Sequence, residues 1–344
     1  MNNILEQDLK YVTSRPLDWT KFIHKTVLIT GATGFIGWNI SQMFLYLNKT
    51  FKYNIHIILL VRNTKKSIDK FKGDLHHNLT IFDNYDLSKH ILMHDIPHVD
   101  YIIHAASNAS PNIFKQEPTE TILVNTEGTN NLLRIAKRDN AEFLFLSTSG
   151  VYGHCDYDDY PLEEDDFGSL DCADIKNCYL ESKRCGEALC MAYMYQHTVS
   201  VKIARLGINY GYGMQLDDGR SMNTFISNII NKHDFNFIGN DVERSYLYIA
   251  DTLSAIFHII LKGECGQSYN ITPDFETSIS DLIHLMIDMY PELNLKINKT
   301  EDNKRLSVDF SRTWMNNDKL RSLGWYANFD LETGIKRTVE AYTV

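Results

Sequence analysis

The chain has no Cys-x-x-Cys pair. Its six cysteines are Cys155, Cys172, Cys178, Cys185, Cys190 and Cys265, and none share a spacing typical of a zinc site. No metal is expected, and in a chain of 344 residues the thiols read as reduced cytosolic ones. A long apolar run is also missing. The longest, around Ile55–Val61, is too short to span a bilayer and suits a buried strand. Residues 1–25 carry scattered charge and no apolar stretch, so they read as neither signal peptide nor membrane anchor. A cytoplasmic protein with no membrane partner is the expectation. Excess positive charge is lacking too. Lys and Arg total 34 against 44 Asp and Glu, a net charge of −10. That excludes nucleic acid as a main partner, which needs a basic stripe. A small phosphate ligand is not excluded, because a few local groups can hold one. There is no internal repeat and no low-complexity tract.

Apolar residues are abundant. They make up 44% of the chain against 23% charged, the composition of one large globular domain or two interlocked ones. Thr26–Thr30 is a β-branched run ending at Gly31, followed by a helical pattern from Phe35 to Leu47. Further strand-like runs lie at Ile55–Val61, Leu79–Phe82, Val99–His104, Phe143–Ser147 and Val199–Leu206. Helical stretches, notably Glu120–Arg138 and Cys178–His197, sit between the later ones. This alternation predicts an α/β fold, a doubly wound parallel sheet covered on both faces. It loosens after Gly207. The expected organisation is an N-terminal extension (1–25), a sheet domain (26–206, with a return near 235–262) and a smaller cap (207–344) without a parallel sheet of its own. The tail from Asp318 reads as short helical turns and loops. A ligand cleft between sheet and cap follows.

Gly31-Ala-Thr33-Gly34-Phe35-Ile36-Gly37 lies directly between the first strand and the first helix. Gly31 allows the tight turn, Gly34 lets backbone approach a pyrophosphate, and Gly37 permits close helix–strand packing. The helix N-terminus then faces phosphate charge. In that position the pattern is a strong dinucleotide-binding signal. The second strand ends Leu60-Val61-Arg62-Asn63 with no acid for the adenosine ribose. Arg62 suits a 2′-phosphate, which tilts the cofactor from NAD towards NADP.

Tyr179-Leu-Glu-Ser-Lys183 opens a predicted helix, so Tyr179 and Lys183 share a face. An ammonium near a phenol lowers its pKa, and the phenolate can then take a proton from a sugar hydroxyl as hydride leaves the same carbon. The fifth strand runs into Thr148-Ser149-Gly150-Val151-Tyr152-Gly153. Thr148 is the expected hydroxyl to the reacting oxygen, with Ser149 as a second contact.

Together with His104-Ala105-Ala106-Ser107 and Asn125-Thr-Glu-Gly-Thr129, these motifs resemble an extended short-chain dehydrogenase/reductase. More narrowly, they resemble the NAD-dependent epimerase/dehydratase family acting on nucleotide sugars. The resemblance runs from about Lys25 to the C-terminus, with later marks at Arg244–Asp251 and Lys319–Trp325. It implies a Rossmann-type domain with a small C-terminal substrate domain, a nucleotide diphosphate-sugar substrate and a homodimer built on the helices 120–138 and 179–197. It implies cofactor contacts from Ala105, Ala106, Ser107 and Asn125, the last also fixing the active-site backbone. Asp86, ahead of Asp83, is the candidate partner of the adenine amine after the third strand. Arg244, Arg305, Arg312 and Asn209 are the candidate substrate contacts.

Among subfamilies, the texture of Ala105–Pro111 and Asp217-Asp-Gly-Arg220 is similar to UDP-glucuronate decarboxylases. Those usually read Thr-Ser-Glu before Val-Tyr-Gly, and 4,6-dehydratases read Thr-Asp-Glu. This chain has Thr148-Ser149-Gly150. Elimination needs a proton acceptor that Gly150 cannot supply. Chemistry using only hydride and one proton at sugar C4 remains, so a 4-epimerase leads. An NADPH-dependent 4-keto reductase is the alternative, ahead of a decarboxylase or dehydratase. The least favoured reading is a dinucleotide-binding regulator without catalysis.

Overall fold

A computed structural model describes residues 2–73, 78–83, 85–89, 95–156, 160–238, 242–300 and 314–343. The chain begins with helix α1 (Asn3–Thr13), then β1 (Thr26–Thr30), α2 (Phe35–Phe51), β2 (His56–Leu60), α3 (Thr64–Phe71) and β3 (Leu79–Phe82). Next come β4 (Tyr101–His104), α4 (Pro111–Gln116), α5 (Pro118–Asp139), β5 (Glu142–Thr148), α6 (Cys178–His197) and β6 (Val201–Leu206). The second half holds β7 (Ile208–Tyr210), α7 (Ser221–Asn231), β8 (Phe235–Ile238), β9 (Glu243–Arg244), β10 (Tyr246–Tyr248) and α8 (Ile249–Lys262). It ends with β11 (Ser268–Ile271), β12 (Thr277–Ser278), α9 (Ile279–Met289), β13 (Ile297–Thr300), α10 (Asp318–Ser322) and α11 (Leu331–Thr343).

Seven strands form one sheet in the order β3-β2-β1-β4-β5-β6-β11, every neighbouring pair parallel. Successive strand residues point to opposite faces, and two cores result. Val27, Ile29, Ile57, Leu59 and Ile103 join one with α2 and α8, whereas Leu28, Ile58, Ile102, Phe143 and Phe145 join the other with α5 and α6. The strand order reverses between β1 and β4. In a doubly wound sheet that reversal opens a crevice beyond the strand C-termini, and there Gly31 and Ala105 leave the sheet.

Three features differ from the sequence-based picture. Ser268–Ile271 supplies a seventh strand, pairing parallel with β6; Ser268 and Asn270 break up the apolar run that would have marked it. The second half contains small parallel ladders of its own, β7 with β10 and β8 with β13, beside the antiparallel pair β9–β12. The tail ends in the thirteen-residue helix α11 rather than in short turns.

The N-terminal segment is part of the core. Asn2 caps α1 by accepting from the Ile4 and Leu5 amides, and Ile4, Leu5, Leu9 and Val12 are buried. Asp8 pairs with Arg337 of α11 at 2.6 Å and accepts from the Tyr248 hydroxyl at 2.7 Å. Tyr11 donates to Asp251 at 2.8 Å. No described helix is long and apolar enough to cross a membrane.

Candidate functional site

The glycine loop tolerates nothing larger. A Cβ on Gly31 would lie 2.6 Å from the Ala105 carbonyl and the Ala106 nitrogen, and one on Gly37 would lie 2.4 Å from the Gly31 oxygen. Gly31 also holds a positive φ of 69°. Gly34 is the N-cap of α2 and offers no side chain to its first-turn amides, and that turn carries no acid. The positive end of α2 therefore stays open to an anion. Lys70 of α3 reaches the same loop, donating to the Thr33 carbonyl at 2.9 Å.

These groups line one wall of a solvent-open cleft of about 660 Å³. Thr33, Gly34, Phe35, Ile36, Ala105 and Ser107 belong to that wall, and Gly213–Gln215, Asp217, Asp218, Arg220 and Asn223 form the other. The Ser107 hydroxyl is buried without a hydrogen-bond partner. A side chain-free cradle, an open helix terminus, a lysine and an unpaired hydroxyl fit a dinucleotide.

Arg62 is exposed beyond β2, and its charge acts on Asp86. Asp86 itself accepts from the Ser88 amide and hydroxyl at 3.1 and 2.7 Å. Burial alone would raise its carboxyl. The Ser88 bonds, with the Lys89 and Arg62 charges, hold it below the ordinary carboxylate value.

Thr148 ends β5 and accepts from the Gly150 amide at 3.3 Å. Its hydroxyl shares a hydrogen bond with that of Tyr179. Ser149 follows in a 3-10 turn, Ser149–Tyr152. Tyr179 stacks on Phe114 at 5.7 Å, with ring planes 7° apart. Burial raises its phenol, opposed by the charge of Arg220 and by Thr148.

Lys183 is only 2% exposed. Its Nζ donates to the Leu146 carbonyl at 2.7 Å and sits 4.6 Å from the Phe145 ring centre. Burial brings its ammonium down to about 7. The cation that lowers the phenol in this structure is thus Arg220, because the buried Nζ turns to its nearest carbonyl. His104 is fully buried, with Nδ1 2.8 Å from the Thr30 hydroxyl, and burial together with the Lys183 charge pushes it well below its usual pKa.

Asn125 lies between α5 and α6. Its amide donates to the Ser182 hydroxyl at 2.9 Å, which donates to the Tyr179 carbonyl at 2.8 Å. It thereby fixes the first turn of α6 and the direction of Tyr179. Gly150 faces α6 so closely that a Cβ would lie 2.3 Å from Leu180 Cδ2.

The candidate substrate contacts are dispersed. Asn209 is engaged by the Gly207 carbonyl and the Thr252 hydroxyl. Arg244 lies on β9, donating to the Glu243 carbonyl, and is absent from the cleft walls. Arg305 and Arg312 lie outside the described residues. Sequence reading overlooked Lys70 and Arg220. Nothing local marks Lys70, since its position depends on α3 packing beside the loop. Arg220 stood in the Asp-Asp-Gly-Arg stretch, but that its charge acts on Tyr179 depends on tertiary structure. Its guanidinium donates to the Ala109 carbonyl at 3.0 Å and lies 3.5 Å from Asp218.

The sequence profile described as "NAD dependent epimerase/dehydratase family" matches residues 27–272. The chain belongs to this family. It is 30% identical to UDP-glucuronic acid decarboxylase 1 of Arabidopsis thaliana over 92% of this chain and 69% of that protein. It is 28% identical to decarboxylase 6 of the same plant, over 93% and 90%. Among solved structures, UDP-glucose 4-epimerase of Thermotoga maritima aligns with a TM-score of 0.78 at 20% identity, covering 92% of this chain and 98% of that one. UDP-glucuronic acid 4-epimerase of Bacillus cereus, in complex with UDP-glucuronic acid and NAD, aligns with 0.75 at 21% identity and the same coverage. Family membership makes this chain an NAD-dependent enzyme of the nucleotide-sugar-modifying kind, and the structural likenesses match its Rossmann-type α/β fold.

Proposed function

We propose that the protein is an NAD-dependent nucleotide-sugar 4-epimerase, working through transient oxidation at sugar C4. The observation that carries this is the composition of the Tyr179 surroundings. Thr148 and Tyr179 bring hydroxyls together at the end of β5, and position 150, where an acid would serve as a second base, is a glycine. That set can move one proton at one carbinol. It offers no second base for elimination. Tyr179 Oη takes the C4 hydroxyl proton, Thr148 holds the reacting oxygen, and Arg220 stabilises the phenolate. NAD, when bound, accepts the C4 hydride and returns it. Rotation of the 4-keto sugar between the two steps inverts C4, and Tyr179 gives its proton back. Gly31–Gly37, Lys70 and Ser107 are the residues that would hold the cofactor. Structural neighbours solved with NAD bound favour NAD over NADP, and with it the epimerase over the reductase.

A second reading is decarboxylation of a nucleotide-linked uronate. The Arg220 guanidinium, whose charge acts on Tyr179 from the cleft wall, favours it as a carboxylate partner, and so do the curated decarboxylase relatives. Oxidation at C4 of a uronate makes a β-keto acid, which loses carbon dioxide readily.

Incubating the purified protein with NAD and UDP-glucose or UDP-glucuronate, followed by NMR, separates the two. A C4-inverted hexose or uronate supports the epimerase, and release of carbon dioxide with a pentose product supports the decarboxylase. Tyr179→Phe should lower turnover about 10²–10⁴-fold while retaining NAD. Undiminished turnover in that variant rejects the mechanism.

A further inference from the structure

We infer that Tyr342, on the C-terminal helix, is a positioning residue for the dinucleotide, holding the cleft wall that faces the glycine loop. The inference rests on the dinucleotide reading of that cleft. The wall begins at Gly213 and Met214. The Tyr342 hydroxyl donates to the Met214 carbonyl and accepts from the Gly213 amide at 3.1 Å. Both backbone groups are thus engaged by one side chain more than a hundred residues away. On its other side the same segment is held by α2, the helix that leaves the glycine loop. Asn39 donates to the Tyr212 carbonyl at 3.0 Å, and a Cβ on Gly213 would lie 2.6 Å from the Trp38 ring. The aromatic rings continue the clamp, Trp38 against Tyr212 at 5.7 Å and Tyr212 against Tyr342 at 5.3 Å.

The C-terminal helix is itself held by α1. Arg337 pairs with Asp8, and the Asn2 amide donates to the Ala341 carbonyl at 3.0 Å, one residue before Tyr342. Both terminal helices lie outside residues 27–272, the stretch the family profile matches. This protein therefore uses segments at its two ends to set the gap between the glycine loop and the facing wall. A wall freed at Gly213 and Met214 samples wider positions, and the fraction of molecules competent to hold the dinucleotide falls.

Tyr342→Phe keeps the ring and removes only the hydroxyl. Both of its hydrogen bonds go with it, and the loss of one alone corresponds to roughly a 5-fold weakening, the least expected here. NAD titration by calorimetry should show at least that loss, together with faster hydrogen exchange at the Gly213 amide and a nearly unchanged Tm. Asn2→Ala, which acts one step back, should weaken NAD in the same direction by a smaller factor. Equal NAD affinity in both variants and the wild type overturns the inference, whatever the exchange rate does. A wild-type protein that fails to bind NAD overturns the dinucleotide reading of the cleft and this inference with it.

Discussion

At the scale of single residues, burial decides the chemistry more than residue type does. Lys183 and Tyr179 share a helix face, as their spacing required, yet Lys183 is spent on the Leu146 carbonyl and its ammonium sits at about 7. The unfolded chain keeps an ordinary lysine near 10.5. Between those values the unfolded state binds more protons, so this group destabilises the fold fully below about pH 7 and releases the penalty as pH rises. Lys183→Met should therefore raise Tm most at pH 7 and below, with the gain shrinking towards pH 10. An equal gain at every pH contradicts a depressed lysine. Gly150 offers a second check. Gly150→Glu must displace Leu180 and should cost about 1–3 kcal/mol. Combined with Leu180→Ala, the two losses should be less than additive in denaturant melts. The glycine loop, the Tyr/Lys pair and Thr148 were legible because each depends on local spacing. Arg220 and Lys70 were not, because the Arg220 charge acting on Tyr179 and the Lys70 bond to the Thr33 carbonyl join elements apart in sequence.

At the scale of elements, α1 shows how a segment with no family signature earns its place. Its sequence carries scattered charge, which disguises one apolar face of Leu5, Leu9 and Val12 and one buried acid, Asp8. That face meets α8 and α11, where Arg337 and Tyr248 satisfy the Asp8 carboxylate. Leu9 is fully buried, so Leu9→Ala should cost roughly 2–5 kcal/mol in chemical denaturation. A change below 0.5 kcal/mol, the range of ordinary surface substitutions, would show that α1 is an appendage. β11 was missed for a related reason. Two of its four residues, Ser268 and Asn270, are polar, and only the edge of β6 tells Ser268–Ile271 to be a strand.

At the scale of the whole molecule, α5 and α6 cover one sheet face together and turn Ile122, Met191 and Tyr195 outward; Tyr195 is 91% exposed. A dimer across these helices is the expected assembly, seen as twice the chain mass of 39.8 kDa in light scattering at micromolar concentration. Tyr195→Arg should return it to a monomer with its fold intact; a wild-type monomer rejects that surface. The sequence by itself determined six of the seven sheet strands, the glycine loop and the shared face of Tyr179 and Lys183, since strands, tight glycine turns and helix faces are written in periods of two to four residues. Tertiary structure alone decided the rest. It set which cation's charge acts on Tyr179, which side chain packs against Gly150, and how helices at both ends of the chain meet the cleft. Those depend on distances between segments well separated in the chain, and no local pattern encodes them.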